Sequence, residues 1–213
     1  MDDVAGAWIR AARATLEFIS DQRVEAMWSR PSSLPLMSVA DLTGHLVHSG
    51  IVLVADAFGM DPASSPTPIS AATLLSWVPG DPDDPIHTDV RKVAGSVAAQ
   101  GFHELLQFAR SRLDEVVLAL PATSPDLVLP FPWMPALSMT VDELMKSRIV
   151  ELVVHVDDLA QSVGEPTIPV EDEAIAIACG VALEINLLRH GPAAVMRGLC
   201  RPGRGPTDVL RAF

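Results

Sequence analysis

Apolar side chains recur every three or four residues along much of the chain, which is the spacing of amphipathic helices. The first such stripe ends near Arg30-Pro31 and consists of Val4, Trp8, Ala12, Leu16, Ile19 and Met27. The pattern predicts a helix that begins near the N-terminus and continues to about residue 30.

Two further helices carry start signals. Ser38-Val39-Ala40-Asp41 is typical of a capping box, and the apolar pattern after it continues to about Gly59. Thr140-Val141-Asp142-Glu143 is a second such signal, and the helix it predicts ends at Gly164, the residue expected in a left-handed conformation.

Proline-rich segments separate the remaining helices. Residues 60–89 predict a long crossover with one short helix around Ala71 to Trp77, and 121–135 predict an irregular connection. Between these segments a third long helix is expected from about Val90 to Leu120, and a fifth from about Val170 to Gly191. No alternating run indicates a sheet, so the expected fold is an all-α bundle whose second and third helices are joined by the crossover.

Composition narrows the function classes. The 213 residues suit one domain, with a helical core over about 5–190 and a C-terminal tail over 191–213. A net charge of −12 disfavours nucleic acid and anionic membranes as partners. Glu184 and Asn186 interrupt the most apolar stretch, which disfavours a membrane-spanning helix. The acidic N-terminus is unlike a signal peptide, and two cysteines are too few for a disulfide framework. We therefore expect a cytoplasmic protein.

The fourth helix embeds ionisable residues in an apolar surround. Glu151 and His155 are four residues apart and therefore lie on one face of a helix that is otherwise apolar around most of its circumference. The second helix contains His45, with His48 three residues later. A metal site in a bundle takes ligands from facing helices, so His45, Glu151 and His155 are predicted to hold a divalent metal with one position left open.

Other interpretations of these residues remain open at this stage. Glu151 and His155 could simply hydrogen-bond each other or Arg148, because buried polar groups need partners. His48 alone is more typical of a helix-surface position, or of a residue that supports a ligand, than of a ligand itself. Asp158, three residues after His155, is a candidate to orient that imidazole.

Two segments resemble a known family. MSVADLTGHLVHSG and SMTVDELMKSRIVELVVHVDDLAQSVGEP are similar to the two motifs of the mycothiol-dependent maleylpyruvate isomerase N-terminal domain family, and Trp28, Pro31 and Leu34 resemble its approach to the second helix. This family is part of the DinB-like superfamily of metal-binding four-helix bundles. The resemblance covers about residues 5–190.

The resemblance implies a DinB-like bundle in which His45, Glu151 and His155 bind the metal. Zinc is the first expectation, and nickel, manganese and iron suit the same donors. It further implies an actinobacterial enzyme, an isomerase or S-transferase that uses a small thiol such as mycothiol on an electrophilic substrate. A metal- or ligand-binding regulatory bundle without turnover is the alternative, and a homodimer is left open.

Arginines concentrate in the C-terminal tail. Residues 189–213 contain Arg197, Arg201 and Arg204 among five arginines opposed by a single aspartate. One expectation is a solvated terminus whose arginines pair with the acidic crossover. The other is that the tail folds against the bundle and directs one of these three arginines to the metal-site opening, where it would bind an anionic ligand.

Overall fold

A computed structural model describes residues 4–62, 67–81, 83–165 and 169–201. The helices are α1 (Val4–Ile19), α2 (Gln22–Ala26), α3 (Val39–Val47), α4 (Leu53–Phe58), α5 (Ala71–Ser76), α6 (Pro85–Ala98), α7 (Phe102–Ala119), α8 (Val141–Ser162), α9 (Asp172–His190) and α10 (Pro192–Cys200). Two short strands, β1 (Val128–Phe131) and β2 (Met134–Thr140), pair antiparallel.

The predicted all-α bundle is confirmed. Helix α8 contacts α1, α3, α4, α5 and α9, while α7 packs on α1 and α4, so α8 occupies the centre of the bundle. Its buried apolar side chains include Leu144, Met145, Ile149 and Leu152. Among the described residues, no helix is both long and apolar enough to cross a membrane.

The predicted start of α3 and the predicted end of α8 are confirmed. At the start of α3, the Ser38 Oγ accepts from the Asp41 amide at 3.1 Å and the Asp41 carboxylate accepts from the Ser38 amide at 3.0 Å. At the end of α8, Gly164 has a φ of 77°, and the next amide donates to the Ala160 carbonyl at 2.8 Å. This is the Schellman closure that a C-terminal glycine permits.

The second capping box is only half formed. The Thr140 Oγ1 accepts from the Glu143 amide at 3.2 Å, as predicted. The Glu143 carboxylate accepts instead from the Ala71 amide at 2.8 Å and from Lys146 at 2.7 Å. A tertiary contact with the start of α5 therefore replaces the local reciprocal bond.

Two helices that were predicted to be continuous are each divided into two in the structure. The first is interrupted after Ile19, where the Asp21 side chain accepts from the Arg23 amide and starts the short α2. The third begins at Pro85 rather than Val90 because proline is tolerated in the first helical turn, with Asp84 as its cap. It then ends at Ala98, and α7 begins after Gly101, whose φ of 90° breaks the helix. The short helix predicted in the connection between α4 and α6 is confirmed as α5.

The prediction of no sheet is also wrong. Strands β1 and β2 form a hairpin inside the segment expected to be irregular, with a register shift between Pro130 and Phe131. Prolines weaken the strand signal in sequence. The hairpin is held instead by burial, since Leu129, Phe131 and Met139 are each at most 4% exposed.

A π-helical turn joins α3 to α4. Residues 48–52 form this turn, so the second helix of the bundle is continuous to Phe58 but changes its winding. Inside the turn, the Gly50 carbonyl accepts from the indole nitrogen of the fully buried Trp8 at 3.0 Å. Such turns concentrate at functional sites.

Helices α3 and α6 approach each other closely at Gly44. A Cβ placed on Gly44 would lie 2.3 Å from the Ala94 carbonyl oxygen, so only glycine fits at this contact. The close contact holds α3 against α6 and thereby sets the direction in which the next residue, His45, points.

The described residues agree with one part of the second expectation for the tail, that it folds against the bundle, but they do not direct Arg197 or Arg201 to the metal-site opening. Residues 192–200 form α10, which packs on α9 and buries Val195. Arg197 and Arg201 are exposed, and Arg201 donates to the carbonyl of its neighbour Cys200 at 2.9 Å. Arg204 lies outside the described residues.

Candidate metal centre

The structure brings together the three side chains predicted as metal ligands. His45 on α3 and Glu151 and His155 on α8 each offer one donor atom, and these atoms all lie within 4.8 Å of one another. The Glu151 Oε2 is 3.4 Å from the His45 Nε2 and 3.6 Å from the His155 Nε2. The donors converge because residues four apart on α8 share a face and that helix packs on α3.

The donor spacing tests whether an ion would fit. Atoms about 2.1 Å from a tetrahedral ion lie roughly 3.4 Å apart. The two measured separations from Glu151 match that spacing and exceed a normal hydrogen bond. Two imidazoles and one carboxylate suit a divalent metal, so the residues present fit the group.

A carboxylate orients one of the imidazoles. The His155 Nδ1 donates to the Asp158 Oδ2 at 2.9 Å, and with the proton on Nδ1 the lone pair of Nε2 faces Glu151. This is the role expected of Asp158 from the sequence. The backbone carbonyl of Asp158 also accepts from Ser33 and Ser162, each at 2.7 Å.

Burial and neighbouring charges set the protonation of the cluster. Burial, followed by the charge of His155, lowers the pKa of His45, which leaves a neutral imidazole at pH 7. Burial raises the pKa of Glu151, but the neighbouring His45 ring and the charge of Arg148 outweigh it and hold the pKa well below its usual range. Burial lowers the pKa of His155, but the hydrogen bond to Asp158 and the charge of Glu151 outweigh it, and the net shift is upward.

A cavity of about 210 Å³ opens beside the cluster. His45 and Glu151 lie on its wall together with His48, Ser49 and Arg148. The rest of the wall is mainly apolar and includes Leu74, Trp77, Val78, Phe131, Trp133 and Met134. A donor set on the wall of an apolar cavity is the arrangement of a site that receives a small molecule.

Several cavity residues escape prediction from the sequence. The hairpin contributes Phe131 and Trp133, from a segment expected to be irregular, and no sequence signal places Ser49 on the wall. The sequence indicates only that His48 is not a ligand; the structure places it on the cavity wall, with its ring centroid 5.9 Å from that of Trp133. The two described tail arginines named above do not belong to the wall.

Asp158→Asn should lower the affinity for Zn²⁺ about tenfold or more, because a neutral amide supports the His155 ligand less well than a carboxylate. Competition with a chromophoric chelator would measure this. Asp157→Asn is the matched control, since the Asp157 carboxylate accepts only from Gln161 among its described contacts. Equal affinities in the two variants would contradict the orienting role.

The chain is similar in sequence to a known protein family. The family model for the mycothiol maleylpyruvate isomerase N-terminal domain matches residues 8–160. The match runs from α1 to the last turns of α8 and includes all three members of the cluster. No curated protein and no solved structure gives a significant match to the chain.

Proposed function

The chain belongs to the mycothiol maleylpyruvate isomerase N-terminal domain family, and from this premise we propose that it is a metal- and thiol-dependent isomerase or S-transferase. The family is of a metal-binding, mycothiol-related type, and the His/Glu/His cluster could bind a metal. One observation carries the proposal: His45 and Glu151 border a cavity large enough for a small electrophile.

His45, Glu151 and His155 would hold the ion, with Zn²⁺ as the first candidate and Ni, Mn and Fe as alternatives. When bound, such an ion lowers the pKa of a coordinated thiol and so supplies a thiolate at neutral pH. Mycothiol is the thiol that the family indicates.

The protein's own residues prepare the cavity for this chemistry. Asp158 keeps the proton on the His155 Nδ1 and leaves Nε2 free to bind. The apolar wall excludes water, which strengthens every electrostatic interaction inside. Burial is the main cause that lowers the pKa of His48, so this imidazole is neutral at pH 7 and can accept the proton of an incoming thiol.

The test uses the full chain purified without chelators and assayed with mycothiol. Monobromobimane reports S-transfer, and a cis-configured unsaturated ketone reports isomerisation by its absorbance. We expect thiol consumption or isomerisation at least about 10²-fold above the uncatalysed rate, lost on chelation and restored by Zn²⁺. His48→Gln should lower the rate and retain the metal.

A different outcome would favour the alternative function. Tight Zn²⁺ binding, without any thiol-dependent turnover of either electrophile, would indicate a metal- or ligand-binding module with a regulatory role. Turnover that persists in the chelated protein would contradict the role of the metal.

A further inference from the structure

Arg148 is a buried cation with neutral hydrogen-bond partners. The residue is 3% exposed and lies on the cavity wall. Its guanidinium donates to the Ser147 Oγ at 3.1 Å and to the Ser49 carbonyl at 3.2 Å, and it lies 5.6 Å from the centre of the Phe131 ring. Burying a charged group is costly unless an opposite charge compensates it.

No carboxylate of the described residues forms an ion pair with this guanidinium. Glu151, one helical turn away, attracts Arg148 electrostatically. The Oε2 of Glu151 faces His45 and His155 instead, as the separations of 3.4 and 3.6 Å show. The charge of Arg148 is therefore only partly compensated within the described part of the chain.

Ser49 supplies a second unsatisfied group on the same wall. The residue is 4% exposed, and its Oγ has no hydrogen-bond partner in the described structure. Leaving a buried hydroxyl without a hydrogen-bond partner is unfavourable. The bond from Arg148 to the Ser49 carbonyl holds the two residues side by side, and Ser49 belongs to the π-helical turn.

We propose that Arg148 and Ser49 form a subsite for the carboxylate of a small, mainly apolar substrate. The carboxylate would accept hydrogen bonds from the guanidinium and from the Ser49 Oγ. Its apolar part would occupy the space next to Trp133 and Phe131. Arg148 and Glu151 are three residues apart on α8, about 5–6 Å between Cβ atoms, so the atoms next to the carboxylate reach the metal centre.

A monoanion suits this subsite better than a phosphate. A single guanidinium compensates one negative charge, whereas a phosphate monoester carries about −1.5 to −2 at pH 7. The subsite replaces the tail arginines as the anion site, and it deepens the proposed function by naming the substrate class of the same cavity.

The experiment measures binding, so it can succeed or fail separately from the proposed turnover. Benzoate and its uncharged analogue benzamide are titrated into the zinc-loaded protein by calorimetry. We expect benzoate to bind at least about tenfold more tightly than benzamide. Ser49→Ala should weaken benzoate binding several-fold and Arg148→Lys about tenfold or more, while both variants keep their affinity for Zn²⁺.

The outcomes are distinguishable. Benzoate binding that is undetectable in the wild-type protein, or unchanged in both variants, would overturn the subsite. If Arg148→Lys does not fold, Ser49→Ala decides alone. Loss of benzoate binding in Arg197→Gln, with Ser49→Ala unaffected, would locate the anion site on the tail and also overturn the proposal. Binding as expected without any thiol-dependent turnover would support the subsite and contradict the proposed function.

Discussion

Alanine at His45, Glu151 or His155 should lower the affinity for Zn²⁺ by at least about 10³-fold. Each substitution removes one of three protein ligands, a larger change than the tenfold to hundredfold effect typical of a residue that only orients a ligand. Elemental analysis of protein purified without chelators, followed by competition with a chelator, would measure the loss. Thermal unfolding would check that each variant remains folded.

His48→Ala is the matched control for this prediction. His48 follows His45 on the same continuous helix and borders the same cavity, but it does not belong to the three-residue cluster. We expect its Zn²⁺ affinity to remain within about threefold of the wild type. An equal loss in the control, or full metal content in two of the three ligand variants, would exclude the assigned ligand set.

Gly44→Ala should destabilise the protein by about 3 kcal/mol or more. The added Cβ would meet the backbone carbonyl of Ala94, which cannot rotate away as a side chain could, so α3 and α6 must separate. Because His45 is the next residue, the same displacement should weaken metal binding. Urea unfolding of the metal-free protein would measure the stability change without the contribution of the metal.

Gly180→Ala is the same chemical change, but it should raise the stability of the protein. Gly180 is an exposed interior residue of α9, and a Cβ there would have no neighbour within 4 Å. Alanine should therefore stabilise the protein by about 0.5–1 kcal/mol. A destabilisation of similar size at both glycines would contradict the assignment of the Gly44 effect to its close approach to Ala94.

Local signals explain what could be predicted of the fold. The cap at Ser38 and the left-handed Gly164 depend on residues a few positions away, so the sequence alone indicates both. The Glu143 carboxylate binds an amide 72 positions away, and no local pattern indicates that choice. The hairpin likewise depends on burial against the helices rather than on an alternating pattern.

The candidate site likewise contains some residues that the sequence indicates and others that only the structure reveals. The i,i+4 spacing of Glu151 and His155 in an apolar helix predicts a shared face, and the structure places His45, the predicted third ligand, opposite them. The importance of Arg148 and Ser49 lies in the partners that they lack among the described residues, and a partner can be found missing only in three dimensions. The concentration of arginines in the sequence points instead to the tail, where Arg197 and Arg201 are exposed in the structure.

The π-helical turn gives one helix two orientations. An α-helix advances about 100° per residue, so the wider turn at 48–52 rotates the face of α4 relative to that of α3. As a result, α3 directs His45 toward α8, while α4 packs on α7 and on the hairpin. Deleting one residue from the turn would restore regular winding and rotate one of these faces away from its partner. The length of this turn therefore couples the placement of the His45 donor to the packing of α7.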